Sequence, residues 1–203
     1  MEKLKCKIFG FAYGSALGEA TRQQAFQGRE SQLRDCKEAK VIVQEYMDNL
    51  LAGRAVDFYR TVQEVERAFQ RYIHQHNIQG EFRFGNAQKL LNMTAKQLYI
   101  AVYADESLRA KFNDCHCPMD GVMVAHLIGK LDKAEGLPKR LADYTRERGW
   151  KGKLRGAWSR ITFDDREQYE IFQEGIRFLA ERRGVSPIEY DYLVWGTPQD
   201  ERV

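Results

Sequence analysis

Two residues of this sequence combine a reactive side chain with a defined local position, Lys89 and Asp120. Lys89 falls in the first turn of a predicted apolar helix, and a neutral lysine amine is a nucleophile. Asp120 follows Pro118 and is predicted to cap the next helix, where a fixed carboxylate could stabilise developing positive charge. Taken separately, a solvated lysine and a plain helix cap are the simpler explanations, so only the two residues together indicate a function.

The cluster of Cys115, His116 and Cys117 is a weak candidate for a metal site. Adjacent residues in regular structure cannot all face one ion, and the sequence has no CxxC or HxxxH pair to complete a zinc site. Structural cysteines near a buried turn are the better interpretation, and we predict neither metal nor cofactor. His116 precedes Asp120 by four residues, close enough to line the same pocket. The signatures GxSxG and the phosphate loop are also missing from the sequence.

The composition is that of a globular protein: of 203 residues, 43% are hydrophobic and 30% are charged, with a net charge of +3. A chain of this length removes roughly 70% of its unfolded surface from water, so one domain or two packed helical lobes can form without disulfides. Four cysteines are too few for a disulfide scaffold. No apolar run reaches the ~20 residues of a membrane span, and the start lacks a signal-peptide core. We therefore expect a cytoplasmic protein without a membrane partner.

Helical periodicity dominates the chain and predicts an all-α fold, because almost no segment alternates with the two-residue period of a strand. Four glycines among residues 1–28 predict an irregular start, and residues 105–114 are expected to form a polar loop. A turn from Gly80 to Gly85 should precede the helix that carries Lys89. The other predicted helices are 31–51, 55–77, Val122–Leu131, a short one after Pro138, one from the Asp164–Glu167 capping signature to about Arg183, and one from Ser186 to about Trp195.

A basic segment runs from Lys139 to Arg160, where eight lysines and arginines against two acidic residues give a local charge of +6. Tyr144, Trp150 and Trp158 are interleaved with these charges. The pattern is typical of a surface that faces nucleic-acid phosphates, and a solvated helix face explains it equally well. The candidate phosphate contacts are Lys139, Arg140, Lys151, Lys153 and Arg155.

The strings GNAQKLLNMTAKQLY and PMDGVMVAHL resemble the core of the helix-hairpin-helix DNA glycosylase superfamily. In that superfamily a glycine-containing hairpin precedes a catalytic lysine, and a proline-containing approach delivers a helix-capping catalytic aspartate. Lys89 and Asp120 match these two positions, and the resemblance covers about residues 82–130. The separation of the pair is similar to that in the divergent archaeal 8-oxoguanine glycosylase branch. A phage-defence glycosylase that acts on glucosylated hydroxymethylcytosine is a second relative that we consider.

The resemblance implies a single helical domain, residues 1–203, with two helical lobes that flank a cleft. It implies a monomer that flips a modified or damaged base out of duplex DNA and cleaves its N-glycosidic bond. Asp120 would stabilise the sugar cation, and Lys89 could add an abasic-site lyase activity. Gly85, Asn86 and Gln88 would contact the DNA backbone, while His116, Phe84 and Trp158 would line the base pocket.

Two other classes of protein remain compatible with the sequence. A non-catalytic nucleic-acid-binding module would use the same basic segment and would tolerate the loss of the Asp120 carboxylate. A helical protein-interaction or inhibitor protein would require neither Lys89 nor Asp120. Base release from DNA separates both alternatives from a glycosylase.

Overall fold

The computed structural model describes residues 2–21, 30–130, 138–147 and 166–196, and these ranges contain helices but no strand, as the all-α prediction requires. By its internal contacts the chain divides into two compact units, Met1–Phe112 and Asn113–Val203. None of the described helices is long and apolar enough to cross a membrane. The helices are α1 (Glu2–Thr21), α2 (Glu30–Leu33), α3 (Lys37–Leu51), α4 (Phe58–Gln75), α5 (Phe84–Ala101), α6 (Glu106–Arg109), α7 (Gly121–Lys130), α8 (Lys139–Glu147), α9 (Arg166–Glu181) and α10 (Pro187–Gly196), with a 3₁₀ turn at Ala110–Phe112.

The first unit is built around α5, which packs against α1 on one side and α4 on another. The apolar spacing that predicts a helix at 55–77 is confirmed by α4, which buries Val62, Val65 and Ile73. Asp57 caps this helix by accepting a hydrogen bond from the Arg60 amide at 3.0 Å. Together these local signals place one stripe of α4 in the core.

The prediction of an irregular segment at residues 1–28 is wrong, because residues 2–21 form the long helix α1. Gly10, Gly14 and Gly18 are spaced by four residues and therefore share one side of the helix. Apolar residues next to this row, including Tyr13 and Leu17, are buried. Packing against α5 thus outweighs the low helix propensity of the glycines.

Three further boundaries differ from prediction. The helix expected at 31–51 is interrupted after Leu33, so α2 and α3 are separate. The loop expected at 105–114 contains α6, whose start is capped by Asp105 through the Leu108 amide at 3.2 Å. Gly85 belongs to the first turn of α5 rather than to the preceding turn. In each case a short capping or packing interaction decides a boundary that periodicity leaves open.

The second unit is built around α9, which contacts α7, α8 and α10. The predicted helices after Pro138 and after Ser186 are confirmed by α8 and α10. A capping box begins α10, because the Glu189 carboxylate accepts from the Ser186 amide at 2.9 Å and the Ser186 hydroxyl accepts from the Glu189 amide at 3.3 Å. The predicted glycosylase core at 82–130 spans both units.

Close packing at Gly175 gives a prediction about stability. A Cβ atom there would lie 2.7 Å from a methyl group of Leu141 and 2.9 Å from one of Leu127, both on neighbouring helices. Gly175→Ala should lower the free energy of unfolding by roughly 1–2 kcal/mol, because overpacking costs about 1–3 kcal/mol and the gain in helix propensity is at most about 1 kcal/mol. Urea denaturation measures the difference.

Gly14→Ala in α1 is the matched control, since a Cβ atom at Gly14 meets nothing within 4 Å. This substitution should raise the free energy of unfolding by roughly 0.5–1 kcal/mol, because alanine restricts the unfolded chain and has the higher helix propensity. Equal effects of the two substitutions would contradict the close approach of the three helices at Gly175.

Candidate functional site

The N-terminal turn of α5 is held by Asn86. Its side-chain oxygen accepts from the Arg83 amide at 3.1 Å, and its side-chain nitrogen donates to the Ala20 carbonyl at 2.7 Å. Asn86 therefore ties the start of α5 to the end of α1. Phe84 and Gly85, in the same turn, are buried. The predicted DNA contacts at Gly85 and Asn86 thus lie at a helix start with fixed geometry.

Lys89 lies on a buried polar face of α5 and is only 7% exposed. Lys96, two turns further along, is 8% exposed and shares this face, because seven residues correspond to about two helical turns. The Gln88 side chain donates to the Gly85 carbonyl at 2.9 Å and accepts from the Asn92 side chain at 3.1 Å. We call Gln88, Lys89, Asn92 and Lys96 the α5 polar face.

The α5 polar face is unusual because lysine side chains are mostly exposed in folded proteins. Helix α5 contains no acidic residue, so Lys89 and Lys96 give it a purely positive charge. Lys89 and Gln88 are among the residues predicted from the sequence, whereas Asn92 and Lys96 are not. The signal that could have found them is the recurrence of polar residues every three or four positions in an otherwise apolar helix.

Asp120 caps α7, as predicted. Its carboxylate oxygen Oδ1 accepts from the Val122 amide at 2.9 Å and from the Met123 amide at 3.1 Å. The side chain is only 8% exposed. Two amide donors hold the carboxylate in place at the positive end of the helix dipole. The result is a buried anion with defined orientation, which is what electrostatic stabilisation of a cation requires.

The segment that leads to Asp120 is held by α9. Gln173 accepts from the Cys117 amide at 3.2 Å and donates to the Cys117 carbonyl at 2.7 Å. One turn earlier on α9, the Tyr169 hydroxyl lies 3.0 Å from Nδ1 of His116. The Cys117 thiol makes a longer contact of 3.8 Å with the buried carboxylate of Asp191 on α10. Tyr169, Gln173 and Asp191 were not predicted from the sequence, since each meets its partner more than 50 positions away.

His116 lines a groove of about 580 Å³ within the second unit. Burial, and to a smaller extent the positive charge of Arg177, lower the pKa of His116 to about 4, while Glu170 acts in the opposite direction. The imidazole is therefore neutral at physiological pH and can donate or accept a hydrogen bond. Asp120 is not among the groove-lining residues in the described ranges. The lining includes Asp114, Cys115, His116, Arg177, Glu181 and Pro187.

Only part of the predicted basic surface can be described. Lys139 and Arg140 are exposed on α8. The Arg140 guanidinium forms ion pairs with Glu167 and Glu174 of α9, each at 2.9 Å. Exposed pairs of this kind contribute little to stability, so they compete weakly with a phosphate for Arg140. Four residues of the prediction, Lys151, Lys153, Arg155 and Trp158, lie outside the described residues, as does Trp150.

Lys89 and Phe84 belong to the first unit, and His116 and Asp120 belong to the second. In the described ranges, no group of three or more His, Cys, Asp or Glu side chains is arranged to hold a metal ion. Comparison of the chain with models of known protein families, with curated proteins and with solved structures gives no match. The chemistry of the site therefore has to be inferred from its own residues.

Proposed function

We propose that this protein is a DNA glycosylase that removes a modified or damaged base from duplex DNA and leaves an abasic site. The observation that carries the proposal is the buried Asp120 carboxylate, which two amides at the start of α7 hold in one orientation. The buried polar face of α5, which includes Lys89, supports it further. The all-α fold alone would not support a glycosylase function, because all-α folds host many different functions.

In the proposed reaction the target nucleotide leaves the base stack and its glycosidic bond breaks. The electron pair of that bond departs with the base, and positive charge develops on the sugar. The negative charge of Asp120 stabilises this cation, and a water molecule then adds to C1′ and loses a proton. Because the carboxylate is already fixed, it needs no reorganisation as the charge develops.

Lys89 could replace water as the nucleophile. Its neutral amine would form a bond to C1′ as the base leaves, and opening of the sugar ring would give a Schiff base that permits strand cleavage.

The neutral imidazole of His116 is suited to base recognition. A neutral ring offers one donor and one acceptor, and the Tyr169 hydroxyl holds it in place at 3.0 Å. Phe84 and Trp158 remain the proposed stacking residues. Lys139, Arg140, Lys151, Lys153 and Arg155 remain the proposed contacts to flanking phosphates, which would make DNA affinity strongly dependent on salt.

Base release from a panel of duplexes tests the proposal. The panel contains 8-oxoguanine, uracil, alkylated bases and phage DNA with glucosylated hydroxymethylcytosine, each assayed with and without hot alkali. We expect strand breaks with at least one substrate, and breaks without alkali would indicate lyase activity. DNA binding without release from any substrate would instead favour a non-catalytic nucleic-acid-binding module.

A further inference from the structure

We infer that Gln173 is a positioning residue for the Asp120 carboxylate. This inference rests on the proposed glycosylase function and extends it to a side chain more than 50 positions along the chain. Gln173 lies in the middle of α9 and is 0% exposed. Both polar atoms of its carboxamide bond to the main chain of one residue, Cys117, with distances of 3.2 Å and 2.7 Å.

The paired bonds explain why a buried polar side chain occupies this position. A carboxamide that donates to the carbonyl and accepts from the amide of the same residue mimics the pairing of a neighbouring strand. Without Gln173 the Cys117 segment would carry a buried amide and a buried carbonyl that lack these hydrogen bonds, which is destabilising. Gln173 thus supplies the hydrogen bonds that an irregular segment cannot make within itself.

The position of the Cys117 backbone determines the position of Asp120, because only Pro118 and Met119 lie between them. Pro118 directly follows Cys117 and restricts the backbone of Cys117 to extended conformations. Pro118 and Met119 are both buried, so the segment has little room to shift. At the far end, Asp120 is fixed to the first turn of α7 by the Val122 and Met123 amides. A shift of Cys117 would therefore move the start of α7 and the carboxylate with it.

Two neighbouring contacts support the same assignment. Tyr169 lies one turn before Gln173 on α9, so the two side chains share a face and meet the consecutive residues His116 and Cys117. On the opposite helix, Asp191 of α10 contacts the Cys117 thiol at 3.8 Å. The segment is thus held from both α9 and α10, and Gln173 contacts it at two points.

Gln173→Met tests the inference, because methionine is similar in size and removes both hydrogen bonds. With the duplex that the wild type processes fastest, single-turnover base release should fall by roughly 10²-fold, as expected for a displaced catalytic group. DNA affinity, measured by fluorescence anisotropy, should stay within about twofold because no phosphate contact is lost. Hydrogen exchange at the Cys117 amide should become faster.

Gln173→Glu adds a readout that a purely structural role would not give. An ionised glutamate can still accept from the Cys117 amide but cannot donate to the Cys117 carbonyl, and burial raises the pKa of such a carboxyl. Relative to wild type, its activity should therefore recover as the pH falls from about 8 to about 5.5, where the protonated carboxyl donates again. Gln173→Met should show no such recovery.

The comparison with wild type removes the contribution of the other groups that titrate around this segment. They are the Cys117 thiol and the Asp191 carboxylate on one side, and His116 with Tyr169 and the nearby charges of Glu170 and Arg177 on the other. All of them are present in wild type and in both variants. Recovery confined to Gln173→Glu therefore reports the hydrogen bond at residue 173.

Gly175→Ala is the control for lost stability, since it disturbs the same helix without touching Cys117 and should retain wild-type base release below its unfolding temperature. Undiminished release by Gln173→Met would overturn the inference and leave the proposed function intact. Equal losses in Gly175→Ala and Gln173→Met would also overturn it, because general destabilisation would then be sufficient. Absence of release by wild type on the whole panel would overturn the proposed function and this inference together.

Discussion

Asp120→Asn should lower single-turnover base release by roughly 10³-fold while DNA affinity stays unchanged or increases. The size of the loss follows from removing a fixed charge that stabilises the transition state, for which losses of about 10²–10³-fold or more are usual. Asparagine caps helices as well as aspartate does, so the bonds to the Val122 and Met123 amides can persist. The substitution therefore removes the negative charge and little else.

Asp57→Asn is the matched control for this substitution. Asp57 caps α4 with the same type of bond, to the Arg60 amide at 3.0 Å, and it is exposed. Base release by Asp57→Asn should equal that of wild type. If Asp120→Asn retained full release, electrostatic stabilisation by this carboxylate would be refuted, and a plain helix cap would be the correct interpretation of Asp120.

Lys89→Gln should eliminate the covalent adduct between protein and DNA that borohydride traps from a Schiff base. Lys89 supplies the amine in the proposed lyase step, and glutamine cannot form the imine. The adduct is measured as a band of reduced mobility on a denaturing gel. Strand breaks produced by the variant should then require alkali, even where some base release by water persists.

Lys96→Gln is the control, because Lys96 lies on the same face of α5 and is buried to the same extent, 8% exposed against 7% for Lys89. It should retain the trapped adduct. If Lys96→Gln lost the adduct and Lys89→Gln retained it, the nucleophile would be Lys96 and not Lys89. No adduct in the wild type, together with base release, would identify a monofunctional glycosylase and contradict a lyase role for Lys89.

Local signals in the sequence predicted several parts of this structure correctly. The spacing of Val62, Val65 and Ile73 indicates one face of a helix, and α4 has that face. The order of Pro118, Asp120 and a following apolar stretch indicates a capped helix start, and Asp120 bonds to two amides of α7. These features depend on interactions between residues three or four positions apart, and such interactions can be predicted from the sequence.

The same local reasoning failed at α1, where Gly10, Gly14 and Gly18 suggested an irregular chain. Isolated helices gain little from propensity alone, and most of their stability comes from tertiary packing. The apolar side of α1 lies against α5, and that contact cannot be read from the glycine content. The burial of Lys89 and Lys96 could likewise not be predicted from the sequence, because most lysine side chains in proteins are exposed.

The sequence by itself determined the all-α class, most helix positions and the cap at Asp120, since each of these depends on neighbours within one or two helical turns. Only the tertiary structure decided that Gln173 holds Cys117, 56 positions away, and that Tyr169 holds His116, 53 positions away. Contacts between residues so far apart produce no periodic pattern in the sequence. They form because buried polar groups must find partners once the helices have packed, and the packing selects which partners are within reach.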